Sequence, residues 1–131
     1  MKSIAILFAT VMLWGCATSS DTQVTDAVAD FVQAAELAPE ESIRTRRDFH
    51  HTAISERYAV VKSHRDYYLV EFTRDCRELY EQFRVPPDYR HETNVLRARF
   101  DTIRGCRIAK LYPIEEWQAE ELKNLGDAPG D

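Results

Sequence analysis

The sequence predicts an α+β fold: a small, mostly antiparallel β-sheet with an N-terminal and a C-terminal helix, held by one disulfide. Three observations carry that prediction. Helical periodicity is confined to two stretches near the chain ends, residues 24–35 and 114–125. Between them, short runs rich in Tyr, Val, Ile and Phe alternate with period two, and turn residues punctuate them. Of three cysteines, Cys16 follows an apolar leader, which leaves Cys76 and Cys106 as an even pair.

The leader decides the compartment. Lys2 supplies a positive start and Ile4 to Leu13 form an apolar run, too short for the ~20 residues that a bilayer span needs but suited to a secretory signal. Leu13, Trp14, Gly15 and Cys16 match a bacterial lipobox. The pattern predicts cleavage before Cys16, a diacylglyceryl group on its sulfur and a fatty acyl chain such as palmitate on its new amine. Several acyl chains at ~0.8 kcal/mol per buried methylene make a stable anchor. Ala17, where an aspartate would favour retention, points by analogy with Gram-negative sorting to the outer membrane, facing the periplasm. The predicted organisation is a signal peptide at 1–15, a lipidated tether and amphipathic helix at 16–41, an α+β domain at 42–126, and a disordered tail at 127–131. Residues 16–131 suffice for one domain with a modest core. In an oxidising compartment Cys76 and Cys106 are expected to pair.

Charge is segregated along the chain. Residues 16–41 hold six acids and no base, residues 111–131 hold six acids against Lys123, and residues 42–110 hold fifteen bases against ten acids. This predicts that the acidic ends pack on, or lie beside, the basic middle. Loss of Lys2 with the leader takes the formal net charge from −5 to −6. Net acidity and export both argue against a nucleic-acid partner.

Ser19 to Gln23 read as a polar tether, with Asp21 or Thr22 as a helix cap. Val24, Ala27, Val28, Phe31, Val32 and Ala35 then share one helical face, and Pro39 is expected to end the helix. The polar face is acidic, so packing on the domain is favoured over resting on headgroups. "SIRTRRDFHH" reads as an edge strand, and "RYAVVKS" with "DYYLVEFT" as a hairpin around His64-Arg65. In that hairpin Tyr68, Val70 and Phe72 face one way, and Tyr67, Leu69 and Glu71 the other. "CRELYEQF" suggests a short helical stretch capped by Asp75, and "RVPPDYRHETN" a loop. "VLRARFDTI" alternates, with Leu96, Ala98 and Phe100 opposite Val95, Arg97 and Arg99, and "CRIAKLYPI" supplies the last strand. Pro113 is expected to open a helix burying Ile114, Trp117, Leu122 and Leu125, with Gly126 as its stop.

The lipobox, "YAVVKSHRDYYLVEFTRDCREL" and "FDTIRGCRIAKLYPI" together resemble a family of small uncharacterised lipoproteins of Gram-negative bacteria. The resemblance covers roughly residues 42–114. It implies the same fold class and supports the cysteine pairing, and it implies no reaction. The family-like motif carries Asp101 and Arg107. With Arg97 and Arg99 they form the candidate binding surface, set against a structural role in ion pairs or a turn beside the disulfide.

Catalytic and metal signatures are weak. His50 and His51 are neighbours, so on a strand they point to opposite faces and do not chelate one ion. His64 and His91 complete the histidines without a ligand spacing, and no G-x-S-x-G elbow or phosphate-cradling glycine loop occurs. No catalytic residue, metal ligand or cofactor is therefore assigned. Six tyrosines (58, 67, 68, 80, 89 and 112) are expected to build a core with polar tips. The expectation is a non-catalytic envelope lipoprotein, a binding or accessory domain for a periplasmic or outer-membrane protein or glycan. The alternative is a small periplasmic enzyme or metal-binding protein using the histidines and Asp101.

Overall fold

The computed structural model describes residues 20–45, 49–80, 89–90 and 94–126. The predicted signal peptide, Cys16, Ala17, His91 and the predicted tail at 127–131 lie outside the described residues, and of the predicted loop "RVPPDYRHETN" only Tyr89, Arg90 and Asn94 are described, the first two forming a short strand instead of loop.

The first described element is helix α1 (Ser20–Ala34) and the last is α2 (Glu116–Leu125). Among the described residues, eight strands lie between them: β1 (Ser42–Arg44), β2 (His50–Ala53), β3 (Tyr58–Ser63), β4 (Asp66–Phe72), β5 (Tyr89–Arg90), β6 (Val95–Arg97), β7 (Thr102–Ile103) and β8 (Cys106–Ile114). Strands β2-β3-β4-β8-β7-β5 form one antiparallel sheet curled into a half-barrel, and β1 pairs with β6 in a separate ribbon. The predicted α+β class is what forms.

Both faces of the central sheet are covered, which is why β3 and β4 read as near-continuous apolar runs. On one face Tyr67 and Leu69 join Tyr58, Val60 and Tyr112 under the two helices, through Val28, Ala119 and Leu122. On the other, Val70 and Phe72 join Val61, Ile108 and Leu111, covered by Ile43 and Leu96 of the ribbon. The alternation predicted for β4 is therefore correct. Its hairpin with β3 turns at His64-Arg65, where His64 adopts a left-handed φ of 59° and Ser63 faces Asp66.

Cys76 and Cys106 form a disulfide with Cα atoms 6.0 Å apart, both sulfurs buried inside the ribbon-side core. It joins the chain leaving β4 to the start of β8, beside the register shift at Glu71/Phe72.

Several predicted elements are corrected. Helix α1 starts at Ser20, so Asp21 is not a cap; its carboxylate accepts the Glu56 N–H at 2.9 Å. Nor does Pro39 end the helix. Glu36 turns left-handed (φ 50°), the Leu37 N–H reaches the Val32 carbonyl and the Glu36 N–H the Gln33 carbonyl. That is a Schellman ending, with Leu37 folding back onto the apolar face. The helix packs on the sheet and on α2, as the acidic polar face suggested.

"SIRTRRDFHH" is two strands in different sheets, β1 and β2, not one edge strand. "VLRARFDTI" breaks after Arg97 into a turn, because Asp101 binds back to the Arg97 backbone. Asp75 caps nothing: a short 3-10 turn at Arg77–Leu79 follows Cys76, and the Asp75 carboxylate sits 3.5 Å from Arg57. Pro113 belongs to β8 opposite Tyr68, on a stretch where β4 is its only partner among the described strands. Helix α2 begins after Glu115, whose N–H is received by Gln118 at 2.8 Å, half of a capping box. That phase buries Gln118, Ala119 and Leu122 and leaves Trp117 63% exposed. Gly126 does stop α2, but with a right-handed φ of −76°. It is needed for space, since a Cβ there would meet the Ile54 carbonyl at 2.8 Å.

Candidate functional site

The four candidate surface residues lie on or beside the turn that joins β6 to β7. Ala98 fills the core and its N–H bonds the Glu41 carbonyl, while Arg99 bonds the Ile108 carbonyl from a left-handed φ of 69°. A non-glycine residue at such a φ costs energy and persists only where its surroundings enforce it. Asp101 supplies that enforcement. It is 4% exposed, its carboxylate accepts the Arg97 N–H, its own N–H bonds the Arg97 carbonyl at 3.0 Å, and its carbonyl accepts the Ile108 N–H at 3.1 Å.

The turn so built displays Phe100. Phe100 is 72% exposed, although alternation placed it on one face with Leu96 and Ala98, which are buried. Arg97 lies over it, its guanidinium carbon 5.8 Å from the centroid, and approaches Asp101 at 3.7 Å. Arg99 is exposed and meets Glu41 at 3.4 Å. Arg107 faces Thr102 across the β7–β8 pair and is exposed. Arg97, Arg99 and Arg107 are thus surface cations, and Asp101 is the buried brace beneath them.

A shallow cleft of about 360 Å³ opens beside the turn, lined by Pro39, Glu40, Glu41, Ala98, Arg99, Ala109 and Lys110. Its floor is small and apolar and its rim carries both signs of charge. At the cleft edge Lys110 approaches Glu71 at 4.0 Å, opposite the register shift. Tyr58, Glu71 and Tyr112 lie close by, and burial with the Glu71 charge pushes the Tyr58 phenol up to about 12. Burial also raises Tyr112. Sequence reading did not connect these groups, because the register that aligns Tyr58, Glu71 and Lys110 spans three strands.

Among the described residues, His50, His51 and His64 do not assemble around Asp101. His50 and His51 sit on β2, one exposed and one half-buried, and His64 is exposed in the β3–β4 turn. Desolvation, then the Arg104 and His50 charges, lower the His51 imidazole to about 4, so it is neutral near pH 7. Among the described residues the one grouping with metal-ligand proximity is Cys76, Glu78 and Cys106, and its two sulfurs are bonded to each other. Tyrosines 58, 67 and 112 are buried, as expected of core residues with polar tips. The Tyr67 hydroxyl reaches Glu116 at 3.1 Å, and Lys62 lies 5.3 Å from its ring centroid.

Residues 1–128 match a protein family described as a family of unknown function, DUF6491. The chain belongs to DUF6491. The match runs through the described domain and beyond it at both ends. No curated protein and no solved structure matches the chain. In this DUF6491 chain, then, the turn and its cleft have to be judged on their own chemistry. They carry an exposed aromatic, exposed cations and a backbone turn braced by Asp101.

Proposed function

We propose that this chain is a non-catalytic accessory domain of the Gram-negative cell envelope, anchored through lipidated Cys16 in the outer membrane and facing the periplasm. Its β6–β7 turn binds an envelope protein or glycan. One observation carries the binding reading. A buried aspartate and a left-handed arginine hold Phe100 out in water between two arginines. Burying Phe100 instead would be favourable by ~1.5–3 kcal/mol, so its display is best explained by a partner that covers it. Aromatic and arginine side chains are the types enriched where partners bind most tightly. The lipobox around Cys16 supports the anchor.

Crosslinking in intact cells followed by affinity capture tests the binding reading. Wild type is expected to recover one partner reproducibly, and Phe100→Ser and Arg99→Glu to lose it while keeping the wild-type circular dichroism and Tm. Recovery by both variants at the wild-type level overturns the role of the turn. The anchor is tested by intact mass and labelled-palmitate incorporation, both of which Cys16→Ala should abolish.

A further inference from the structure

The structure gathers one set of elements around the start of α1. The Asp21 carboxylate holds the Glu56 N–H at 2.9 Å, and the Glu56 carbonyl accepts the Cys76 N–H at 2.6 Å. Cys76 is bonded to Cys106. The corner between β2 and β3, the chain leaving β4 and the start of β8 therefore share one end of the molecule with the N-terminus of α1. The β3–β4 turn is at the other end.

That end presents Arg57, Arg74, Arg77 and Tyr80. Arg77 is 83% exposed and Tyr80 51% exposed. Two of the three ion pairs here are loose: Arg57 meets Asp75, and Arg77 meets Glu56, at 3.5 Å each. Arg74 and Glu78 are closer, at 2.8 Å. Exposed pairs of this kind are worth ~0–1 kcal/mol, so the guanidinium groups can exchange a carboxylate for a phosphate. Arginine is the side chain whose planar fork matches phosphate oxygens two at a time, and tyrosine suits a layer apolar on one side and wet on the other.

Tether length supplies the rest. Only residues 17–19 separate Cys16 from the first residue of α1. At ~3.5 Å per residue, four steps of extended chain reach roughly 14 Å at most. The headgroup layer of one leaflet is itself about 5–8 Å deep. An acylated Cys16 thus brings the end that carries Asp21 against the lipid surface. The opposite end of β4, six residues away, stands about 20 Å further out.

We propose that this end of the domain faces the bilayer, with Arg57, Arg74 and Arg77 on the phosphates of anionic phospholipids and Tyr80 in the interfacial layer. The inference rests on the anchor reading and adds an orientation and a headgroup contact to it. Helix α1 then meets the membrane end-on. Its apolar face is occupied by the domain, so it does not lie in the lipid surface.

The test uses the lipidated full chain in vesicles of phosphatidylethanolamine and phosphatidylglycerol containing a headgroup-nitroxide lipid. A fluorophore is placed at Thr73→Cys or at Asp66→Cys, two exposed positions at opposite ends of β4. Quenching at position 73 should exceed that at 66 by severalfold. Equal quenching, or more at 66, overturns the orientation. Replacing Arg57, Arg74 and Arg77 together by Gln should at least halve quenching at 73 with acylation unchanged, and unchanged quenching overturns the phosphate contact. Intact mass separates the two readings. A chain without the acyl mass defeats the anchor and this inference together, whereas an acylated chain with equal quenching defeats the orientation alone.

Discussion

Asp101 holds its turn through a buried carboxylate on a backbone N–H, so removing it leaves that donor and a left-handed Arg99 without support. Asp101→Ala is expected to cost about 2–3 kcal/mol, as for other charged hydrogen bonds in buried places, measured as a lower urea midpoint at unchanged m-value. Asp101→Asn keeps an acceptor oxygen and should cost less. An Asp101→Ala loss below about 0.5 kcal/mol would show that Ala98 and the Ile108 contacts suffice to hold the turn. His51 gives a pH signature. Its imidazole titrates near 4 in the fold against 6.5 for the free side chain, so between those values the unfolded chain binds the extra proton. Stability should be insensitive to this group above pH 6.5 and fall as the pH drops from 6.5 to 4, by about 3 kcal/mol. Urea titrations of wild type and His51→Gln across that window check it: the His51-specific slope should vanish in the variant.

Among the elements, α1 is fastened at its first turns by two polar contacts to the β2–β3 corner. Ser55 is fully buried; its hydroxyl oxygen accepts the Thr25 hydroxyl at 2.9 Å and the Tyr58 N–H at 3.2 Å, while Asp21 holds the neighbouring Glu56. Ser55→Ala should cost about 1–3 kcal/mol and speed amide exchange in residues 21–28 more than in β4. Exchange accelerated equally everywhere would place Ser55 in the global core and not in a local latch. The elements also show what was legible beforehand. The β3–β4 hairpin and β8 were readable because each is one unbroken run with both faces covered, so alternation and turn agree. "VLRARFDTI" was not, since its alternation continues straight through a turn that a buried aspartate imposes from another part of the chain. The phase of α2 was missed because Pro113 can serve a strand as well as a helix, and only the packing of Ala119 and Leu122 on the sheet decides. For the site, sequence supplied the arginines and Asp101 but grouped Phe100 with Leu96 and Ala98, whereas its exposure depends on that same turn.

At the scale of the whole molecule, the disulfide closes a loop with a sequence separation of 30 and lies within the ribbon-side apolar layer. Reduction should remove about 3–4 kcal/mol in the chain-entropy account, seen as a fall of several degrees or more in Tm with reductant. Cys76→Ala/Cys106→Ala should reproduce it, and an unchanged Tm in both would mean that packing alone holds β4 to β8. The segregated charge has a molecular reading too. The acidic helices lie on one face of the sheet, and among the described residues the acids of α2 form one ion pair, Glu120 with Lys123 of the same helix. The basic middle balances part of its charge internally, through pairs such as Arg74–Glu78 and Lys110–Glu71. The expectation that the ends pack on the middle is met mainly through apolar contact, with Arg99 also pairing to Glu41 of the acidic N-terminal segment.

Strands β5, β6 and β7 all fall between Cys76 and Cys106. A protease that cuts the chain anywhere in that interval adds one water and releases nothing, because the bridge still joins the two pieces and the β4–β8 pairing still aligns them. The nicked molecule would run as one species without reductant and as two with it. Damage in this stretch would therefore be survivable wherever the disulfide stays oxidised.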